Sequence, residues 1–171
     1  PTARQALQRL VDRGLLTRRR GVGTIVSPRH VHRPMELSSL MRDLVEAGHK
    51  VHTTIQRYEA RPASAQEADT LGIDEGMLIV HIERTRFAND EPIAVLTNSI
   101  PSDIAPSMQE LESGSLYDLM RERGVTLASA RQVIGARSAT AKEAKLLSEH
   151  RGAALLTTQR TTYDPSGRIV E

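Results

Sequence analysis

Six strand-like segments constrain the fold of this chain most strongly. They are rich in β-branched residues. Turn residues separate two pairs of neighbouring segments, as in antiparallel hairpins, at Asn89-Asp90-Glu91-Pro92 and at Asp164-Pro165-Ser166-Gly167. The segments are residues 51–60, 77–87, 93–100, part of 125–139, 154–163 and 168–171. With helices between the hairpins, this order predicts an α+β fold with a mainly antiparallel sheet, and not a doubly wound parallel sheet.

Helical patterns occupy the intervals between the predicted strands. Residues 37–45 carry apolar residues at helical spacing, and Gly48 closes that helix. Ser64 with Glu67, and Thr140 with Glu143, have the spacing of capping boxes at helix starts. Ser115 is predicted to cap a helix that ends at Gly124.

Length and composition limit the class of protein. The chain has 171 residues, enough for one ordinary domain or for one domain and a fragment of another. Its residues are 39% hydrophobic and 26% charged, as is typical of a globular protein. No apolar run approaches the length of a membrane span, and no cysteine is present, which fits a cytoplasmic protein. The chain opens at Pro1 without a methionine or a signal pattern, so we expect further residues upstream.

Positive charge is concentrated at the amino-terminal end. Residues 1–33 hold eight arginines and a single acidic residue, Asp12, although the whole chain has a net charge of only +2. An asymmetry of this kind is expected where one segment meets a polyanion such as DNA. A solvated arginine-rich surface is the alternative explanation.

The order of residues in this basic segment favours DNA. Residues 2–13 show helical spacing that ends at Gly14, and residues 15–18 and 23–26 read as two short strands joined through a turn with Gly21. In a winged helix, a helix of this kind enters the major groove, where arginine pairs with guanine and glutamine with adenine. A basic hairpin then follows the phosphates.

The same residues resemble a known family. Pro1-Thr2-Ala3-Arg4-Gln5-Ala6-Leu7-Gln8-Arg9-Leu10, Gly14-Leu15-Leu16 and Arg20-Gly21-Val22-Gly23-Thr24-Ile25-Val26 resemble the recognition helix and wing of GntR-family regulators. The resemblance implies DNA contacts from Thr2, Arg4, Gln5, Arg20 and Gly21. Arg19, in the same basic turn, is expected to contact phosphates. The family's first helices are absent from the sequence, so we expect an incomplete winged helix.

A linker separates this segment from the rest of the chain. Residues 27–35 contain two prolines, two arginines and two histidines without periodicity. His30 and His32 have no further ligands at metal-binding spacing, so we predict no metal site. The predicted organisation is a winged-helix fragment at 1–26, a linker at 27–35 and a second domain at 36–171.

The second domain also resembles a known module. Six segments, in order, are similar to landmarks of the UTRA effector-binding domain, which follows the winged helix in the HutC-like branch of the GntR family. They are Leu37-Ser38-Ser39-Leu40, Glu83-Arg84-Thr85-Arg86-Phe87, Asp90-Glu91-Pro92-Ile93-Ala94, Ser115-Leu116-Tyr117, Thr140-Ala141-Lys142-Glu143-Ala144 and Tyr163-Asp164-Pro165-Ser166-Gly167-Arg168. The resemblance implies a fold similar to that of chorismate lyase.

Two arginines are candidates for binding an anionic effector. Arg84 and Arg86 alternate along one strand, so both guanidinium groups are predicted on the same face. Guanidinium binds phosphate or carboxylate through charge-assisted hydrogen bonds, and hydroxyl groups can complete the oxygen shell. Ser39, Thr54 and Ser115 are the candidates for that shell. An exposed salt-bridge ladder with Glu83 or Glu91 is the alternative, and the UTRA resemblance favours the pocket.

Three further residues are weaker candidates for the effector site. Tyr117 is placed either in the site, where it would stack on or hydrogen-bond a ligand, or in the core. Arg137 is a second candidate, and Glu171 matches an acid of the family after Gly-Arg. Leu96 stands where amino-sugar-sensing relatives commonly carry glutamate, which argues against an N-acetylglucosamine phosphate sensor.

These observations predict a DNA-binding regulator, acting as a repressor, that responds to a sugar phosphate, a carboxylate or a similar small anion. The expected partners are a double-stranded DNA operator, the anionic metabolite and a second copy of the chain. Two alternatives are a DNA-binding protein whose second domain only dimerises, and a lyase-like enzyme. No catalytic constellation or cofactor motif supports the enzyme.

Overall fold

A computed structural model describes residues 3–12, 16–19, 21, 23–26 and 40–171. By its internal contacts the chain divides into two units, Pro1–Pro34 and Met35–Glu171. Among the described residues, no helix is both long enough and apolar enough to cross a membrane.

The first unit contains a helix followed by a hairpin. Helix α1 spans Ala3–Asp12, and strands β1 (Leu16–Arg19) and β2 (Gly23–Val26) pair antiparallel. Gly21 lies in the turn with a φ of 83°, a left-handed conformation that glycine adopts at little cost. The predicted order of helix, strand and strand is confirmed.

The second unit is built on a three-stranded antiparallel sheet. Helix α2 (Leu40–Glu46) precedes strands β3 (Val51–Pro62), β4 (Leu78–Ala88) and β5 (Glu91–Pro101). The sheet order is β3-β4-β5, so β4 is central. Helix α3 (Ala65–Leu71) connects β3 to β4.

The remaining helices and a second sheet follow in the chain. The two strands of this sheet pair antiparallel. Every named sheet of the described residues is therefore antiparallel. The predicted mixture of helices with antiparallel sheets is confirmed. The elements are α4 (Met108–Ser113), α5 (Leu116–Glu122), β6 (Ser129–Ser138), α6 (Ala141–Leu146) and β7 (Ala154–Tyr163).

The main core lies on one face of β4. Val80 and Ile82 of this face pack with Leu111 of α4 and with Met120 of α5. Successive side chains of a strand point to opposite faces, so Ile79 belongs to a second cluster, which lies against α3. The sheet is therefore buried on both sides at β4.

Capping boxes start three of the helices. Ser64 with Glu67 and Thr140 with Glu143 form the reciprocal hydrogen bonds predicted from their spacing. A third box, Ser107 with Glu110, starts α4, a helix that the sequence analysis missed. Ser115 is the N-cap residue of α5, but its side chain makes no capping hydrogen bond.

The predicted strand at residues 168–171 is wrong as a regular strand. After the turn beginning at Asp164, these residues form one isolated antiparallel bridge, between Tyr163 and Ile169. Backbone hydrogen bonds then join Thr162 to Val170 and Glu171. This short return of the chain brings the Glu171 side chain next to β7.

Candidate anion-binding site

Two arginines continue the buried face of β4. This face carries every second residue of the strand, Val80, Ile82, Arg84 and Arg86, and the side chains between them point to the opposite face. Arg84 is 4% exposed and Arg86 is 2% exposed. The alternation predicted from the sequence therefore places both guanidinium groups inside the domain.

Neither guanidinium group is fully hydrogen-bonded. Nε and Nη1 of Arg84 and of Arg86 are buried without a hydrogen-bond partner, while Nη2 of Arg84 donates to Asn98 Oδ1 at 3.1 Å. Each buried donor left unpaired costs about 1–3 kcal/mol, and more when it is charged. The site therefore favours an oxygen-bearing anion that accepts these hydrogen bonds.

The alternative of an exposed salt-bridge ladder is not what the structure shows. Both arginines are buried, and Glu83 points to the opposite face of β4. There Glu83 accepts a hydrogen bond from Lys142 Nζ and lies 3.7 Å from His81 Nε2.

Burial affects the charge of the two arginines. It lowers the pKa of Arg84 to about 10, and the nearby positive charge of Arg86 adds to this effect. Burial lowers the pKa of Arg86 as well. Arg84 nevertheless remains cationic at neutral pH, so the site holds close positive charges away from water.

A β-bulge decides which threonine joins the arginines. The β3–β4 register shifts between Ile55 and Arg57, so that Thr53 lies opposite Arg86 on the buried face. The Thr53 hydroxyl oxygen is buried without a hydrogen-bond partner. Thr54, the residue predicted from the sequence, is exposed and lies opposite Thr85 on the other face. Thr53 is thus the functional candidate that the sequence analysis missed.

Beyond Asn98, a polar network extends the site. The Tyr117 hydroxyl group donates to Glu171 Oε2 at 2.7 Å, and Thr162 Oγ1 donates to the same oxygen at 2.9 Å. Asn98 Nδ2 donates to Glu171 Oε1, which connects this network to Arg84. Burial raises the pKa of Tyr117, and the Glu171 carboxylate adds to this effect.

Comparison with known proteins identifies the family of the chain. The model of the UTRA domain family matches residues 46–171. The HTH-type transcriptional repressor NagR of Bacillus subtilis is 33% identical over 99% of this chain and 71% of its own length. The probable transcriptional regulator PhnF of Escherichia coli is 34% identical over 85% of this chain and 62% of its own length.

The chain belongs to the GntR family of transcriptional regulators, in the HutC-like branch that carries a UTRA domain. It spans about two thirds of the length of these relatives. The named relatives are transcriptional regulators. This confirms the prediction of a regulator and not of an enzyme.

Solved structures show the same fold. A protein from Streptomyces coelicolor described as a transcriptional regulator is 44% identical, with a TM-score of 0.66 over 71% of this chain and 82% of its own. The structure of PhnF from Mycobacterium smegmatis has a TM-score of 0.73 over 98% of this chain and 75% of its own. At 24% identity, the latter shows likeness of fold alone.

Other residues predicted for the effector site of this UTRA domain lie in different surroundings. Tyr117 is 4% exposed and packs in the main core, so it belongs both to the core and to the polar network. Ser115 is buried at the start of α5. Arg137 is bonded to Glu143 of α6 and is not brought to Arg84. Ser39 lies outside the described residues.

Of the residues predicted to contact DNA, the structure describes Gln5 and Gly21 most fully. Gln5 is exposed on α1, and Gly21 is exposed in the hairpin turn. Arg4 lies in α1 and Arg19 in β1, but their side chains are outside the description. Thr2 and Arg20 lie outside the described residues.

Two adjoining cavities lie beside the polar network. The first, of about 210 Å³, is lined by Asn98, Arg160 and Glu171 together with residues of α3, and the second, of about 270 Å³, shares Thr70, Gln159 and Thr161 with it. The guanidinium groups of Arg84 and Arg86 do not line either cavity. The walls of the first cavity include β5 and β7, each at the edge of its sheet. The unpaired buried donors of Arg84 and Arg86 lie apart from these cavities and are the groups that require an anion.

Proposed function

We propose that this chain is part of a ligand-responsive repressor whose UTRA domain binds a small anionic metabolite, such as a sugar phosphate or a carboxylate. Binding of the metabolite lowers affinity for a DNA operator. The proposed organisation is a winged-helix fragment at 1–26, a linker at 27–35 and the UTRA domain, with a fold similar to that of chorismate lyase, at 36–171.

One observation carries the proposal of an anionic ligand. Four guanidinium nitrogens of Arg84 and Arg86 and the hydroxyl oxygen of Thr53 are buried together without hydrogen-bond partners. Among the described residues neither arginine forms a salt bridge, and the Glu171 carboxylate offsets only part of the effect of burial on the pKa of Arg84. An anion that accepts their hydrogen bonds offsets the remaining cost of burying two adjacent cations. Phosphate and carboxylate have the charge and the oxygen acceptors for this position.

The proposal of DNA binding rests on the first unit. Exposed Gln5 and Arg9 on α1 supply groups that recognise base edges, and exposed Arg18 lies on β1 of the hairpin. A single winged helix contacts one half-site, so the proposed regulator binds a two-fold-symmetric operator as a homodimer. The ligand lowers operator affinity because it binds more tightly to the arrangement of the dimer that separates the two helices from their half-sites.

Calorimetric titration tests the anion site. We expect the chain to bind at least one of inorganic phosphate, glucose 6-phosphate and citrate, and the double variant Arg84→Ala/Arg86→Ala to lose this binding while remaining folded. Arg121→Ala is the matched control, because Arg121 is a surface arginine of α5 paired with Asp118.

Two results would contradict the proposal. Undiminished affinity in the double variant would move the ligand site elsewhere in the chain. Binding of none of the three anions, together with operator binding that is indifferent to them, would leave a second domain that only dimerises.

A further inference from the structure

The second unit contains two copies of one sequence pattern. Residues 59–95 correspond without a gap to residues 135–171, each residue lying 76 positions before its counterpart. Identical residues occupy the positions that start the helix, turn the chain and enter the second strand. Examples are Arg61 and Arg137, Ala63 and Ala139, Glu67 and Glu143, Gly76 and Gly152, and Arg84 and Arg160.

The structure repeats with the same spacing. The unit β3-α3-β4 corresponds to β6-α6-β7, and both strand ladders begin at equivalent pairs, Pro62 with Leu78 and Ser138 with Ala154. The connecting loops also share their hydrogen bonds. Gly76 N donates to Ala63 O at 3.3 Å, and Gly152 N donates to Ala139 O at 3.3 Å.

In the second copy, the arginine has a glutamine partner. Gln132 lies directly opposite Arg160 in the regular β6–β7 ladder. Arg160 Nε donates to Gln132 Oε1 at 2.9 Å. This glutamine therefore satisfies the nitrogen whose counterpart in Arg84 is unpaired.

In the first copy, the bulge removes the equivalent glutamine. Gln56 is the counterpart of Gln132, but it is the residue at which the β3–β4 register shifts. Its amide donates instead to Thr85 Oγ1, at 2.9 Å, on the opposite face of β4. Ile55 takes the place opposite Arg84, and an apolar side chain offers Arg84 Nε no acceptor.

We infer that the bulge at Gln56 opens the anion site, because it withdraws the glutamine that occupies the equivalent position in the second copy. An oxygen of the bound anion then accepts a hydrogen bond from Arg84 Nε, just as Gln132 Oε1 accepts one from Arg160 Nε in the second copy. The inference rests on the proposed anion-binding function. It makes Gln56 and Ile55 positioning residues of the site. Arg160, in contrast, is bonded within the protein, to Gln132 and to the Tyr117 hydroxyl oxygen.

The same register shift supplies the threonine of the site. With regular alternation from Tyr58, residues 56 and 54 would share its buried face, whereas the bulge places Ile55 and Thr53 there. The bulge thus replaces an internal amide by an apolar residue and adds a hydroxyl group opposite Arg86. Both changes leave hydrogen-bonding groups available to a ligand.

The substitution Ile55→Gln tests this inference, because it restores a glutamine opposite Arg84. We expect the affinity for inorganic phosphate or citrate, measured by calorimetry on the full chain, to fall at least about tenfold. The reason is that the new amide oxygen accepts the hydrogen bond that Arg84 Nε would donate to the anion. Ile134→Gln, the same change at an exposed position of β6, is the matched control and should keep the wild-type affinity. Thermal denaturation of both variants verifies that they fold.

The outcomes distinguish this inference from the proposed function. Unchanged affinity in Ile55→Gln, with binding lost in Arg84→Ala, overturns the role of the bulge and leaves the anion site standing. Binding unaffected by either substitution overturns both.

A second measurement needs no variant. NMR measures how fast the Nε–H protons of Arg84 and Arg160 exchange with solvent in the unliganded chain. The Arg160 proton should exchange more slowly than the burial of its side chain predicts, because it is hydrogen-bonded to Gln132. The Arg84 proton should exchange faster than the burial of its side chain predicts, because it has no hydrogen-bond partner. Saturation with the anion should slow exchange at Arg84 and leave exchange at Arg160 unchanged. Slowing at Arg160 without slowing at Arg84 overturns the inference.

Discussion

Thr53 lies directly opposite Arg86 in the β3–β4 ladder, and its hydroxyl oxygen is buried without a hydrogen-bond partner. A hydroxyl group both accepts and donates, so it can accept from a guanidinium group or donate to an anion oxygen. The hydroxyl group therefore complements the two arginines in the proposed site, where they alone can only donate.

Replacing this hydroxyl group should weaken anion binding without changing the shape of the side chain much. We expect Thr53→Val to lower the affinity for phosphate or citrate about three- to tenfold, the value of one hydrogen bond of about 1 kcal/mol. Thr54→Val, on the exposed face, should leave it unchanged. Calorimetric titration of the two variants measures the difference, and equal losses would exclude a specific role for Thr53.

The sequence predicted the arginines and not the threonine, for a physical reason. Arg84 and Arg86 share a face wherever β4 is regular, because alternation along a strand is a local property. The face of Thr53 depends on the bulge three residues later, at Gln56, and glutamine is not a residue type that predicts a bulge. Asn98 and Thr162 were also missed, since only the tertiary fold brings their strands to Glu171.

Helix starts were predictable where a local hydrogen-bond pattern has a fixed spacing. Ser64 with Glu67 was found in this way, whereas Ser107 with Glu110 has the same spacing and was overlooked. The internal repeat is also present in the sequence, as a constant spacing between Arg61 and Arg137 and between Arg84 and Arg160. A comparison of the chain with itself would have revealed it.

The buried arginines should reduce the stability of the unliganded domain. We expect Arg86→Met to raise the free energy of unfolding by about 1–3 kcal/mol, because methionine fills a similar volume without leaving a charge buried and unpaired. The same variant should lose the stabilisation that phosphate or citrate gives to the wild type. Urea denaturation with and without the anion measures both effects, and a strongly destabilised variant would contradict the prediction.

Acid should weaken the link between β6 and α6. Hydrogen bonds from Arg137, and then from Thr140, lower the pKa of Glu143 well below its usual range. A depressed carboxyl pKa contributes stability that is complete above about pH 4.5 and is lost as the pH falls towards the folded-state pKa.

The substitution Glu143→Gln should therefore lower stability by about 1 kcal/mol at pH 7 and flatten the loss of stability between about pH 4.5 and 2. Glu112→Gln, at an exposed position of α4, is the control. Urea midpoints measured across this pH range give the comparison. Parallel curves for the wild type and Glu143→Gln would show that this carboxylate does not supply the acid sensitivity.

Two arginines of the first unit should affect DNA binding in different ways. Arg4 lies in α1, the proposed recognition helix, and a contact with a base edge is worth about 1–3 kcal/mol. In the regulator that carries this chain, Arg4→Ala should lower operator affinity by that amount and relax specificity at one base position.

Arg19, in β1 of the hairpin, is expected to contact phosphate. Arg19→Ala should weaken binding to all sequences alike and reduce the slope of log affinity against log salt by about 1. Fluorescence anisotropy with single-base operator variants at several salt concentrations separates the two effects, and operator affinity that is the same with and without Arg4 would exclude α1 as the recognition helix.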